Sequence, residues 1–125
     1  MKTAALKSKL DAMHGAVAQP MAAARGSTPN VLIYKVMGKM FAILSLRGEP
    51  NVILKCDPDL AEGLRERYSG VGHRSHLDRR FWISVSLDAD VPAAEIRRLA
   101  AHSYEQVCAK LTRKQRAELA PRNRV

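Results

Sequence analysis

The sequence predicts a two-layer α+β domain, an antiparallel sheet covered on one face by helices, in the order α-β-β-β-α-β-α. Short segments rich in β-branched and aromatic residues are separated by turn sequences, which is typical of antiparallel strands. Other segments repeat apolar residues every three or four positions, which is typical of helices packed on one side. With 125 residues, 46% of them hydrophobic, the chain is long enough to form a core without disulfides or metals.

The N-terminal region is predicted to hold one helix followed by a loop. An apolar stripe at helical spacing indicates that the helix ends near Gly15. The members of this stripe are Leu6, Leu10, Met13 and Val17. Residues 15–30 mix Ala, Gly, Pro and Ser without a period, so we interpret them as a flexible connection with one helical turn at 21–25.

The next three strands are predicted to form an antiparallel meander. The segments 31–36 and 39–47 are separated only by Met37 and Gly38, which predicts a tight β-hairpin because glycine supplies the positive φ that such turns need. A further turn leads to a third strand at 52–56.

A helix and a fourth strand follow the meander. Asp57 is the predicted N-cap of this helix, because Pro58 comes directly after it. A strongly basic loop occupies 72–80 and includes an additional short edge strand near 73–78. The fourth strand is predicted at 81–87, where apolar residues alternate with Trp and Ser.

The C-terminal part is predicted to hold the longest helix, which begins at Pro92, and a short helix at 113–119 in a basic tail. We divide the chain into an N-terminal helix with a flexible connection at 1–30, a folded domain at 31–112 and a basic tail at 113–125.

Alternation along the strands predicts which side chains lie on the helix-free face. In the fourth strand Phe81 belongs to the apolar set that faces the helices, whereas Trp82 belongs to the opposite set with two serines. The same alternation predicts a mixed set of cations and aromatics on the open face: Lys39, Phe41, Arg47, Lys55 and Trp82. Aromatic rings among cations can stack on bases and neutralise phosphates.

Simpler interpretations of the same residues remain open. Trp82 could be a hydrophobic lid covered by lysine stems, since both side chains are amphipathic. The lysines could be ordinary solvated residues of an open face. Arg79 and Arg80 could protect a sheet edge from aggregation.

The net charge of +9 favours a polyanionic partner, although its distribution weakens that argument. Residues 1–30 carry four Lys or Arg against one acid, and residues 111–125 carry five against one. The intervening core is therefore almost neutral. Two cysteines far apart favour a cytoplasmic protein, and no stretch of about 18 apolar residues predicts a membrane span.

The motifs of common enzymes and metal sites are not found in the sequence. There is no phosphate-binding glycine loop, no nucleophile elbow and no Cys–His pairing at motif spacing. His73 and His76 have a ligand-like spacing, but no third ligand accompanies them. We therefore expect a protein that is not an enzyme and that uses no cofactor or metal.

Four separated motifs resemble the MmcQ/YjbR family. They are the segments 34–42 (YKVMGKMFA), 54–58 (LKCDP), 76–82 (HLDRRFW) and 102–104 (HSY). The resemblance implies a frataxin-like or secretion-chaperone-like fold and a DNA-binding role of the double-wing type. This chain departs from the family pattern in having Met37 rather than a first glycine in the hairpin, and a basic, Ala-rich segment at 19–30 where an acidic one is usual.

We expect a small protein that binds nucleic acid, DNA rather than RNA, without reading base sequence and without contacting membranes. The residues expected to form the site are Lys35, Lys39, Lys55, His76, Arg79, Arg80 and Trp82. Ser103 and Tyr104 are expected to pack the long helix and to bond locally. The alternative is a protein-interaction or chaperone-like adapter that uses the same sheet face.

Overall fold

The computed structural model describes residues 1–22, 26, 28–73 and 77–119. Within these residues the α+β prediction is confirmed by four helices and a six-stranded antiparallel sheet. In chain order the elements are α1 Thr3–Asp11, β1 Ala16–Met21, β2 Val31–Val36, β3 Lys39–Ser45, β4 Asn51–Lys55, α2 Pro58–Arg67, β5 Val71–Gly72, β6 Trp82–Ser86, α3 Ala93–Cys108 and α4 Arg113–Leu119.

The sheet has the strand order β1-β2-β3-β4-β6-β5, and every neighbouring pair is antiparallel. The chain leaves β4 through α2 and β5 and returns as β6 beside β4. The β2–β3 turn has positive φ at both central residues, 50° at Met37 and 81° at Gly38, as type I′ hairpin turns require. Met37 keeps this conformation, which a side chain disfavours by about 1 kcal/mol, while packing partly against the core.

The helices cover one face of the sheet. Helix α3 lies across β2, β3 and β4, and its inward residues are Ile96, Leu99, Ala100, Ser103 and Val107. The buried residues of α1 and α2 join the same core cluster. In the part of the chain that the structure describes, the opposite face carries no helix. Among the described helices, none has the length and apolar character needed to cross a membrane.

Hydrogen bonds from α3 tie the helix layer to the sheet. The Ser103 hydroxyl donates to the Phe41 carbonyl oxygen at 2.5 Å and accepts from the Lys55 N–H at 2.9 Å. The Tyr104 hydroxyl donates to the His14 carbonyl oxygen. The packing role expected of this pair is confirmed, but the bonds reach β3, β4 and the α1–β1 turn instead of staying local.

One predicted element is corrected by the structure. The segment interpreted as a flexible connection contains β1, which pairs along all six of its residues with β2. As an edge strand it is mostly exposed on both sides, so it lacks the alternation that marks a half-buried strand. An additional edge strand lies at Val71–Gly72, directly before the predicted position near 73–78, of which residues 74–76 lie outside the described residues. Residues 23–25 of the predicted helical turn lie outside the described residues.

Candidate nucleic-acid interface

The strand register brings two lysines and the single tryptophan onto one row of the open face. Lys35 in β2 is paired with Met40 in β3, and Lys55 in β4 is paired with Trp82 in β6. Paired residues of antiparallel strands point to the same face. Only β3 separates the two lysine-bearing strands, so their backbones lie about 10 Å apart.

A β-bulge in β3 changes which of its side chains face the helices. Tyr34 pairs with Ala42, whereas the next residue of β2, Lys35, pairs with Met40, so Phe41 is an extra residue in the ladder. Phe41 is fully buried and makes an edge-to-face contact with Tyr104 at 5.4 Å between ring centroids. The prediction that Phe41 lies on the open face is therefore wrong.

The bulge also moves Lys39 away from the predicted row. Lys39 pairs with Val36, whose side chain is buried beneath the helices, so Lys39 begins on the covered face. It is exposed because it lies directly beside the hairpin turn, at the same end of the sheet as Lys55 and Trp82. Arg47 lies beyond the opposite end of β3 and is not part of this cluster.

The residues at the start of β6 follow the predicted alternation, but Phe81, directly before the strand, does not. Trp82 is half-buried and Ile83 is buried, as alternation predicts, but Phe81 precedes the strand and is 38% exposed. The Phe81 and Trp82 N–H groups both donate to the Asp78 carbonyl oxygen at 3.0 Å, because the chain turns tightly there. The turn removes Phe81 from the core-facing set.

The loop before Trp82 is held by a residue that sequence reasoning missed. Arg65 of α2 donates to the carbonyl oxygens of Arg79 at 2.7 Å and of Trp82 at 2.9 Å. Burial, and secondarily repulsion from Arg79, lower the pKa of Arg65 below its ordinary value. These bonds fix the backbone at Arg79 and at Trp82, so Arg65 is a positioning residue of the candidate site.

The two loop arginines differ in whether an acidic side chain pairs with them. Arg80 forms an ion pair with Asp78 at 3.0 Å, and hydrogen bonds from Arg80 lower the pKa of that carboxyl. Arg79 makes no ion pair with any described residue. Both arginines line a cleft of about 510 Å³ against α2, whose other lining residues are Pro58, Asp59, Glu62, Arg65 and Glu66. The arginines therefore face a cleft of mixed charge beside the lysine row.

The structure thus brings only part of the predicted site together. Lys35, Lys55 and Trp82 share a row on the open face, whereas Lys39, Arg79 and Arg80 surround its end from the turn and the loop. His76 lies outside the described residues.

The remainder of the open face is largely apolar. The next row reads Ile33, Ile43 and Ile53 across β2, β3 and β4, and it ends at Ser84 in β6. Ile53 is only 3% exposed, while Ile33 and Ile43 are half-buried. Beyond them, Val17 and Met21 of the edge strand β1 are 64% and 44% exposed. The face thus combines a cationic and aromatic row with apolar surface.

Groups suited to metal binding or nucleophilic chemistry are not assembled in the described part of the chain. No three His, Cys, Asp or Glu side chains among these residues are grouped as metal ligands. Both cysteines are free thiols. Burial, as the main cause, raises the pKa of the Cys56 thiol to about 11, so this buried group stays protonated at neutral pH.

A family model and a similar protein of Escherichia coli indicate one family. The model of the YjbR family matches residues 13–106. The uncharacterized protein YjbR of Escherichia coli K12 is 38% identical over 73 residues, which is 58% of this chain and 62% of that protein. The chain thus spans less than two thirds of YjbR. The uncharacterized protein YbdF of E. coli O157:H7 is 29% identical over 94 residues, 74% of this chain and 77% of YbdF.

Two crystal structures share the fold. The protein DR2400 of Deinococcus radiodurans superimposes with a TM-score of 0.77 at 29% identity, covering 91% of this chain and 84% of DR2400. A protein from Pseudomonas syringae superimposes with a TM-score of 0.68 at 20% identity, covering 85% of this chain and 98% of that protein. The second likeness concerns the fold alone.

Proposed function

The chain belongs to the YjbR family, and from that premise we propose that it is a non-enzymatic cytoplasmic protein whose helix-free sheet face binds nucleic acid, in particular DNA. The observation that carries the proposal is the row formed by Lys35, Lys55 and Trp82. Ammonium groups neutralise phosphates, and an indole ring stacks on bases at about 1 to 3 kcal/mol per base. Two free thiols support the reducing compartment.

The residue types in the row favour binding without sequence preference. Lysines attract phosphates as point charges, and stacking accepts the face of any base. Discrimination between bases needs hydrogen bonds to base edges, which bidentate Arg, Asn or Gln side chains supply. The row holds none of these.

The surrounding cations contribute unequally in this proposal. Arg79 and Lys39 are exposed without an ion pair to any described residue, so they add phosphate contacts at the end of the row. Arg80 contributes less, because Asp78 already neutralises it. With Lys35 and Lys55, about four phosphate contacts are expected.

The proposal is tested by titrating the protein with a DNA oligonucleotide while Trp82 fluorescence is recorded at several salt concentrations. Four contacts predict a plot of log affinity against log salt with a slope of about −3 on single strands. The double variant Lys35→Gln/Lys55→Gln should reduce the steepness of that slope by about 1.4.

A matched control removes the same charge elsewhere. Lys9 on α1 and Lys110 after α3 are both exposed and lie outside the sheet. Lys9→Gln/Lys110→Gln should leave the fluorescence response in place. Unchanged Trp82 fluorescence at low salt, or equal losses in the two double variants, would refute binding at this row.

The exposed side chains of β1 favour a second candidate, an adapter that associates through apolar surface. Val17 and Met21 are the most exposed apolar side chains that the register assigns to the open face. Light scattering after size exclusion should then give a mass above the 13.8 kDa monomer, and Val17→Lys should return it to the monomer. A monomer at every concentration would leave self-association without support.

A further inference from the structure

We propose that the open face prefers single-stranded nucleic acid over a duplex, with phosphates on the lysine row and unstacked bases on Trp82 and on the half-buried Ile33 and Ile43. This inference rests on the proposed function and specifies its ligand class. Three features of the sheet support it: its width, its surface chemistry and the fixed backbone of Trp82.

The width of the sheet does not suit a duplex groove. The major groove of B-DNA is about 12 Å wide and admits a helix or a two-stranded ribbon. Lys35, Lys55 and Trp82 lie on inner strands of a six-stranded sheet, with β1 outside β2 and β5 outside β6. Because β5 pairs only with Ser84 and Val85, five strands are shown at the level of this row, and they span about 19 Å at the usual strand spacing. These side chains therefore cannot enter a groove together.

The surface chemistry matches exposed bases better than a phosphate exterior. Ile33 and Ile43 are half-buried in the row directly beside the lysines and face the same way. A duplex presents charged backbone to a flat surface and keeps its base faces inside the stack. A single strand presents phosphates to the cations and apolar base faces to the isoleucines and the indole.

The backbone of Trp82 is fixed by two sets of hydrogen bonds. Its backbone is paired with Lys55 in the sheet, and its carbonyl oxygen accepts a hydrogen bond from Arg65 at 2.9 Å. With the backbone held in place, only the side-chain torsions of Trp82 lose freedom when a base stacks on its ring. Stacking on a duplex base would first require flipping that base out of the helix, which costs a few kcal/mol, whereas a single strand needs no such step.

The experiment compares a 12-nucleotide oligothymidylate with a blunt duplex of equal length, each labelled, by fluorescence anisotropy at one salt concentration. We expect the single strand to bind at least about ten-fold more tightly. Trp82→Leu should lower single-strand affinity about ten-fold and duplex affinity far less, whereas Trp82→Phe, which still stacks, should retain most of the affinity.

The outcomes separate this inference from the proposed function. Equal or tighter duplex binding would overturn the single-strand preference while leaving nucleic-acid binding in place. No binding of either oligonucleotide at low salt would overturn both. Equal losses for Trp82→Leu and Trp82→Phe on the single strand, with both variants folded by circular dichroism, would contradict stacking and with it the preference.

Discussion

The two faces of the sheet are built from alternate residues of the same strands, yet they differ in almost every physical property. On the covered face Tyr34, Phe41 and Leu54 are fully buried and pack under α3 and its neighbours. On the open face Lys35 and Lys55, the chain neighbours of Tyr34 and Leu54, are only half-buried. The covered face thus holds most of the fully buried side chains, whereas the open face holds mainly half-buried ones.

The largest expected difference between the faces concerns Phe41. Phe41→Ala removes a fully buried ring that contacts Tyr34 and Tyr104, so we expect the free energy of unfolding to fall by about 3 to 5 kcal/mol. Chemical denaturation followed by circular dichroism measures this loss.

Ile43 on the open face of the same strand supplies the matched comparison. Its side chain is half-buried, so Ile43→Ala should cost about 1 to 2 kcal/mol. Equal losses of stability at the two positions would mean that Phe41 is not in the core. They would also contradict the β-bulge that places Phe41 there.

The covered face should also respond to alkaline pH. Burial is the main cause that raises the pKa of Tyr34, with a further contribution from its hydrogen bond to Asp11, and burial raises the pKa of Tyr104 to about 12. In the unfolded chain a tyrosine ionises near pH 10. The folded state holds these protons more tightly, so their contribution to stability is complete below about pH 10 and is lost as the pH rises from there through the folded-state pKa of each tyrosine.

Denaturation midpoints between pH 8 and 12 measure this loss. Tyr34→Phe should be less stable at pH 8, because the bond to Asp11 is gone, but its stability should decline less steeply above pH 10. An identical alkaline decline in the wild type and in Tyr34→Phe would show that the hydroxyl of Tyr34 is not protected by the fold.

Sequence patterns predicted the covered face well wherever one strand had one regular alternation. Ile83 and Val85 face the core, and Trp82 faces away from it, as the sequence indicates. The pattern failed at the bulge because Met40, Phe41 and Ala42 are all apolar, so an inserted residue leaves no trace in the alternation. It failed at β1 because an exposed edge strand has no buried set.

The candidate site was only partly predictable for a different reason. The positions of Lys55 and Trp82 on the open face could be predicted from alternation, since each residue lies on a regular strand. Arg65 was missed because its partners are 14 and 17 residues away and belong to a loop, which no local pattern connects to a helix. The arginines of that loop face the α2 cleft, and only the fold of the loop determines this direction.

The smallest expected effect on stability belongs to the lysines of the open face. Neither Lys35 nor Lys55 forms an ion pair with a described residue, so Lys35→Gln/Lys55→Gln should change the free energy of unfolding by no more than about 0.5 kcal/mol. The same variant should weaken DNA binding. A loss of stability above about 1 kcal/mol would mean that the lysine stems cover the isoleucine row as part of the fold, and weaker binding could then not be assigned to lost phosphate contacts.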